Sequence, residues 1–213
     1  MSDVRTATPH RLQTIGWIVV AALAAVGLAH LFAMLDAVRD AETGETGETR
    51  RIVATETNIG LSVFSTVDTV STILNTARLL VLVVFITWLY LARDNFDRRA
   101  DDNVNWRKGW TIGGWFIPLA NLVIPNLVVG EIYARSSPDR TWTSPRLVNA
   151  WWIALLVSLF TYTETTTRAG GATEVHTPVF VAAVSGGAGV LAAVLAAVLV
   201  RRVSTWQDTK PAG

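Results

Sequence analysis

Long runs almost free of charge constrain this chain more than any other feature. They cover residues 14–35, 70–92, 111–129, 147–163 and 178–200, and a helix that crosses the ~30 Å hydrocarbon core of a bilayer needs about 20 apolar residues. Apolar side chains gathered in blocks, rather than spaced three and four apart, suit a chain surrounded by lipid rather than an amphipathic soluble fold. The expectation is an all-α polytopic membrane helix bundle, one domain over residues 14–200 with cytoplasmic tails at 1–13 and 201–213. The first run follows Arg5 and Arg11. It exceeds the roughly 7–15-residue apolar region of a signal peptide, which favours a retained crossing over a cleaved leader.

Lysine and arginine collect on the cytoplasmic side of membrane proteins. Arg93, Arg98, Arg99, Arg107 and Lys108 follow the second run, Arg135, Arg140 and Arg146 the third, and Arg201, Arg202 and Lys210 the last, whereas Arg168 alone follows the 147–163 run. Four crossings, at 14–35, 70–92, 147–163 and 178–200, place every rich segment and both termini inside. A fifth crossing at 111–129 would send two of those segments outside. Residues 36–58, with the repeat Glu42-Thr-Gly-Glu45-Thr-Gly-Glu48-Thr, read as a solvated acidic loop on the outer side. Arg39, Arg50 and Arg51 in it dissent, but long loops translocate largely regardless of charge. Tryptophan agrees with four crossings: Trp17, Trp88, Trp106, Trp110, Trp115, Trp142, Trp151, Trp152 and Trp206 all fall near the cytoplasmic ends, where indole rings favour the headgroups.

The 109–134 stretch differs from the other runs. Pro118 and Pro125 are seven residues apart, and inside a helix each would remove a backbone donor and free the carbonyl four residues earlier, at Gly114 and Asn121. Backbone without internal hydrogen bonds is tolerated at membrane depth only when buried in protein or facing water. A proline-broken re-entrant or interfacial segment on the cytoplasmic side is therefore expected. Two readings follow: a small polar cavity lined by the freed carbonyls with Asn121, Asn126, Glu131 and Arg135, as transporters build their sites, or a segment merely bent against its neighbours.

The string Trp110-Thr-Ile-Gly113-Gly114-Trp115-Phe116-Ile117-Pro118, then Asn121-Leu122, Pro125 and Glu131-Ile132, preceded by the Trp88–Asn95 helix exit, resembles a bacterial family of uncharacterised membrane proteins, domain-of-unknown-function family 4328. The family usually has Trp then Arg after the Glu-Ile pair, where this chain has Tyr133-Ala134-Arg135. The resemblance implies the architecture and no activity.

Arg78 lies inside the second run, where a charge costs about 2.5–3.5 kcal/mol on insertion scales. It either serves a function, with Asn75 and Asp68 as its nearest polar neighbours in sequence, or snorkels outward toward the acidic loop. His10, His30 and His176 are scattered, without the paired spacing of a metal site. The string Ser185-Gly-Gly-Ala-Gly189 sits in an apolar run with no following lysine, so packing explains it better than phosphate binding. Ser185, Gly189, Ala193 and Ala197, and likewise Ala21, Ala25, Ala29 and Ala33, recur every four residues as ridges that let helices approach closely.

The chain has no cysteine and a formal net charge of +1, which removes disulfides, thiolate chemistry and a global field for nucleic acid. No nucleophile–base pair, carboxylate pair or nucleotide fingerprint stands out, so neither an enzyme nor a cofactor is expected. Arginine far outnumbers lysine, as in GC-rich bacterial genomes, which points to a bacterial plasma membrane. The expected function is a non-enzymatic scaffold or modulator, with the bilayer and a membrane-protein partner or a second copy as its contacts. The alternative is a small channel or transporter subunit whose pathway is shaped by 111–131, with Arg78, Gly114, Pro118, Asn121, Pro125, Asn126, Glu131 and Arg135 around one hydrated cavity.

Overall fold

The fold comes from a computed structural model that describes residues 8–43, 69–99, 104–138, 146–160, 164–167, 173–176 and 178–209. Three helices are long and apolar enough to cross a membrane: α1 (Gln13–Thr43), α2 (Thr69–Arg98) and, introduced below as the last of six, α6 (Val179–Thr209). Between α2 and α6 lie α3 (Trp110–Gly113), a single 3₁₀ turn (Ala120–Leu122), α4 (Ile124–Ser136) and α5 (Arg146–Ser158). A two-stranded antiparallel ribbon, β1 (Glu164–Thr167) and β2 (Thr173–His176), pairs Glu164 with His176 and Thr167 with Thr173. The all-helical expectation therefore holds except for this ribbon, whose short Thr-rich strands carry no hydropathy signal.

The three long helices run past the ends of their apolar runs. α1 continues to Thr43, into residues expected as loop, α2 continues to Arg98 through the charged exit, and α6 continues to Thr209 past Arg201 and Arg202. Hydropathy marks where lipid ends, whereas backbone hydrogen bonding propagates as long as no breaker stops it. α5 has 13 residues, about 20 Å of helix against the ~30 Å core, so it is shorter than the expected crossing at 147–163. Residues 44–58 of the acidic loop, together with Asp68, Trp142 and Arg140, lie outside the described residues.

α1 and α6 pack antiparallel along their length through small residues. A Cβ added to Gly16 would lie 2.7 Å from Ser204 Oγ, one on Gly27 3.1 Å from Ala193 Cβ, one on Gly189 2.6 Å from the His30 ring, and one on Gly186 2.9 Å from Met34 Cβ. From Gly16 to Met34 the contact advances 18 residues along α1 and returns 18 along α6, from Ser204 to Gly186, so the two backbones hold one close register. Gly189 and Ala193 of the expected α6 ridge do face α1. The α1 ridge does not face α6: Ala21, Ala25 and Ala33 are exposed, and glycines and His30 make the contact instead. Four-residue spacing identifies a stripe, but which stripe is covered depends on the partner helix.

The start of α1 meets the end of α6. The Asp208 carboxylate accepts hydrogen bonds from the backbone N–H groups of Leu12 (2.9 Å) and Gln13 (3.0 Å), so it caps orphan donors of α1 from 195 residues away. Asp208→Ala is expected to cost about 1 kcal/mol, within the roughly 0.5–2 kcal/mol range of N-cap losses. Thermal unfolding of the purified protein checks it, and an unchanged midpoint would remove the cap.

Candidate functional site

At the end of the bundle where α1 begins and α2 and α6 finish, polar side chains are buried together. Gln207 is 0% exposed. Its amide nitrogen donates to Ala92 O (3.1 Å) and Ser136 Oγ (2.8 Å), and its amide oxygen accepts from Asn95 Nδ2 (3.0 Å). Asn95, also 0% exposed, pairs with the His10 backbone in both directions, accepting from its N–H (2.6 Å) and donating to its carbonyl (2.9 Å). Asp94 accepts from Arg98 Nε (2.6 Å) and Lys108 Nζ (2.7 Å) and contacts His10 Nε2 at 3.1 Å. Arg93 donates to Asp97 and to the Trp106 carbonyl. Trp88 Nε1 donates to Ser204 Oγ at 3.0 Å. One connected network thus binds the N-terminal strap, α2, α4, α6 and the segment before α3.

Lys108 illustrates the electrostatics. Its ammonium reaches Asp94 and, at 3.2 Å, Asp97, and these hydrogen bonds hold its pKa above the ordinary 10.5. A raised folded-state pKa stabilises below the unfolded value, and that stability is lost as pH rises through the folded one. Because the side chain is 37% exposed, the contribution is screened to about 1 kcal/mol or less. The protein is therefore expected to lose stability above pH 10.5, with Lys108→Met less stable at neutral pH and showing a smaller alkaline loss. Melting curves across that range check it; parallel wild-type and variant curves would overturn it.

The 104–136 segment leaves this polar end and returns to it. Its outgoing limb is held by Arg93 on Trp106 and by Lys108 on Asp94. Its returning limb is held by Ser136 on Gln207. Glu131 ties the limbs together, accepting from the backbone N–H groups of Asn105 (2.7 Å) and Trp106 (3.0 Å) and from Arg135 Nε (3.2 Å). Between them, Trp115 stands edge-on to Phe85 (5.9 Å) and to Trp152 (6.0 Å), and Phe85 lies eight residues, about 12 Å, up α2 from Arg93. Trp152 Nε1 donates to the Leu122 carbonyl.

The segment is broken as expected, with the prolines at the edges of its helices and not within one. Pro125 is in the first turn of α4, where its missing N–H needs no partner, and exposed Pro118 sits in the turn after α3. They delimit two short helices and do not interrupt one. The strain falls at Leu119, whose φ of 65° is the positive value among non-glycine residues described; it costs on the order of 1 kcal/mol or more. Gly114 is buried because a Cβ there would lie 2.8 Å from Ile124 Cγ2. Asn121 is exposed, and Asn126 Nδ2 donates to Asn149 Oδ1 of α5 at 3.2 Å.

Gly114, Pro118, Asn121, Pro125, Asn126, Glu131 and Arg135 all lie on this one excursion, and Arg78 belongs to α2. Arg78 lies about 22 Å along α2 from Arg93, within electrostatic reach of His30 of α1. His10, Asp94, Asn95, Ser136 and Gln207 carry the network; the sequence offered His10 only against a metal site and Asn95 only as the end of a helix exit, and did not single out the other three. A signal for them was present: Ala196, Val200, Val203 and Gln207 continue one helical face past Arg202. The eight described tryptophans do gather toward the polar end, yet Trp88 (1% exposed), Trp151 (3%) and Trp152 (6%) are core residues rather than an interfacial belt.

Three helices that suit a membrane, closed at one end by a hydrogen-bonded cap and a returning segment, define a helical membrane-type domain. The chain belongs to the family of the domain of unknown function DUF4328, which matches residues 55–205 and so includes α2 through most of α6 but not α1. No curated protein and no solved structure matches it.

Proposed function

We propose that the chain is a non-enzymatic scaffold or modulator of the bacterial plasma membrane. In this reading α1, α2, α5 and α6 cross the bilayer, both termini are cytoplasmic, and the 104–136 segment dips into the inner leaflet and returns. The observation that supports it is the engagement of the charged residues Glu131 and Arg135 of that segment. Glu131 is bonded to two backbone N–H groups and Arg135, and Asn126 to Asn149, while Arg78 is about 22 Å away from Arg93. A solute pathway needs such groups around shared water, whereas a rigid platform needs them bonded to one another. The exposed side of the segment, with Phe116 at 69% and Leu119 at 81%, offers apolar surface to lipid or to another protein.

Extraction of native membrane patches with in-cell crosslinking tests the reading. A reproducible protein neighbour is expected; its absence, or a solute flux from reconstituted vesicles, would sink the scaffold and favour a channel. Topology has its own test. Single cysteines at Arg107, Thr166 and Thr209, in a chain with none of its own, should react with an impermeant reagent in intact cells only at 166. Labelling at 107 or 209 would reverse the assignment.

A further inference from the structure

We infer that the polar end of the bundle is a docking surface for anionic phospholipid headgroups, contacted by Arg11, Arg107, Arg201 and Arg202. The inference rests on the membrane reading above but not on the scaffold role. The carboxylates described at this end are engaged within the fold: Asp94 is held by Lys108 and Arg98, the exposed Asp97 by Arg93 and Lys108, Glu131 by Arg135 and two backbone N–H groups, and Asp208 by the start of α1. Their charge is thereby neutralised within the fold. The four arginines named are exposed, so among the described residues the outward-facing charge not paired with a carboxylate is positive.

The surroundings distinguish a lipid from an acidic protein. The Arg201 guanidinium lies 3.8 Å over the ring of Trp17, and that indole is itself 56% exposed. Arg107 precedes the exposed Ile112 and Phe116. Arg202 donates to the Tyr133 hydroxyl at 2.8 Å, which holds its head beside α4. Arg201 thus stands against an exposed indole, an arrangement that a phosphate ester carrying acyl chains satisfies at both ends. A soluble acidic partner would leave the aromatic and aliphatic groups uncovered.

The test uses the full chain in vesicles of phosphatidylcholine and phosphatidylglycerol, with brominated forms of each lipid quenching tryptophan fluorescence. The described tryptophans gather toward this end, so quenching reports on it. Phosphatidylglycerol is expected to associate about three- to ten-fold more strongly than phosphatidylcholine at low salt, and the preference should shrink at high salt. Arg107→Gln/Arg201→Gln/Arg202→Gln should bring the ratio close to one. Should that variant not fold, Arg11→Gln/Arg107→Gln, which removes no bond among the described residues, should still lower it. Equal quenching by the two lipids in the wild type, or a preference indifferent to salt and to the substitutions, overturns the inference. A lipid preference without any crosslinked protein would leave it standing while the scaffold fell.

Discussion

Gly189→Ala is expected to lower the melting temperature of the purified protein by roughly 3–10 °C, whereas Gly187→Ala, two residues away on the same helix, should leave it unchanged or raise it. The contrast comes from what each methyl group would meet. At 189 it would lie 2.6 Å from Cγ of His30 and 2.7 Å from Nδ1, close to the root of a side chain pinned between two backbones. At 187 it meets only the Met34 sulfur at 3.9 Å, an ordinary contact at the end of a flexible chain. Overpacking of this kind costs about 1–3 kcal/mol, and 1 kcal/mol moves the midpoint by about 2–4 °C for a chain of this size. In an open position, glycine to alanine gains up to about 1 kcal/mol of helix propensity. His30→Ala should rescue Gly189→Ala, because the methyl group then occupies the space the ring vacates. Equal effects at 187 and 189, or no rescue, would mean that α1 does not pack on α6 in this register.

Gln207→Leu should be comparably damaging for the opposite reason, since the volume is kept and the hydrogen bonds are lost. The substitution strands the Ser136 hydroxyl, takes the second donor from the Ala92 carbonyl and removes one acceptor from Asn95, all at a position with no exposure. Leaving buried polar groups unsatisfied costs about 1–3 kcal/mol each. Partial compensation, through the bond Asn95 keeps to His10, brings the total to about 2–4 kcal/mol, or roughly 4–16 °C. Ser136→Ala should be milder alone and less than additive with Gln207→Leu, because both act on one bond. Unfolding of the single and double variants decides it: strict additivity would show that the two side chains are independent. If Gln207→Leu were neutral, the cap would be ornamental to stability and its polar residues would need another explanation.

The sequence alone established the apolar runs, and with them the three long helices among the four crossings it led one to expect, and a proline-broken excursion. This was legible because lipid solvation is a property of composition over a window of about 20 residues and needs no knowledge of neighbours. The family string Trp110 to Pro118 was legible for the same local reason. Where the reading failed, the missing information was about partners. Pro125 carries the same side chain inside a helix as at its start, and only the fold puts it in the first turn of α4. Glu131 looks like a cavity carboxylate until Asn105 and Trp106 are seen to donate to it. Arg78 shares its residue type with Arg135 alone among the proposed cluster, and it lies on α2 about 22 Å of helix from Arg93, which holds the outgoing limb of the segment.

The polar cap shows the division most clearly. Asp94, Asn95 and Gln207 lie beyond the apolar runs, among arginines, where hydropathy reads solvated helix ends. What buries them is the meeting of four segments at one point: the strap at His10, the end of α2, the end of α4 and the last turns of α6. Apolar burial is roughly proportional to area and is written into each segment separately. Hydrogen bonds require two specific atoms within about 3 Å, so the sequence by itself determined which segments are apolar, and only the tertiary structure decided which polar atoms close the bundle.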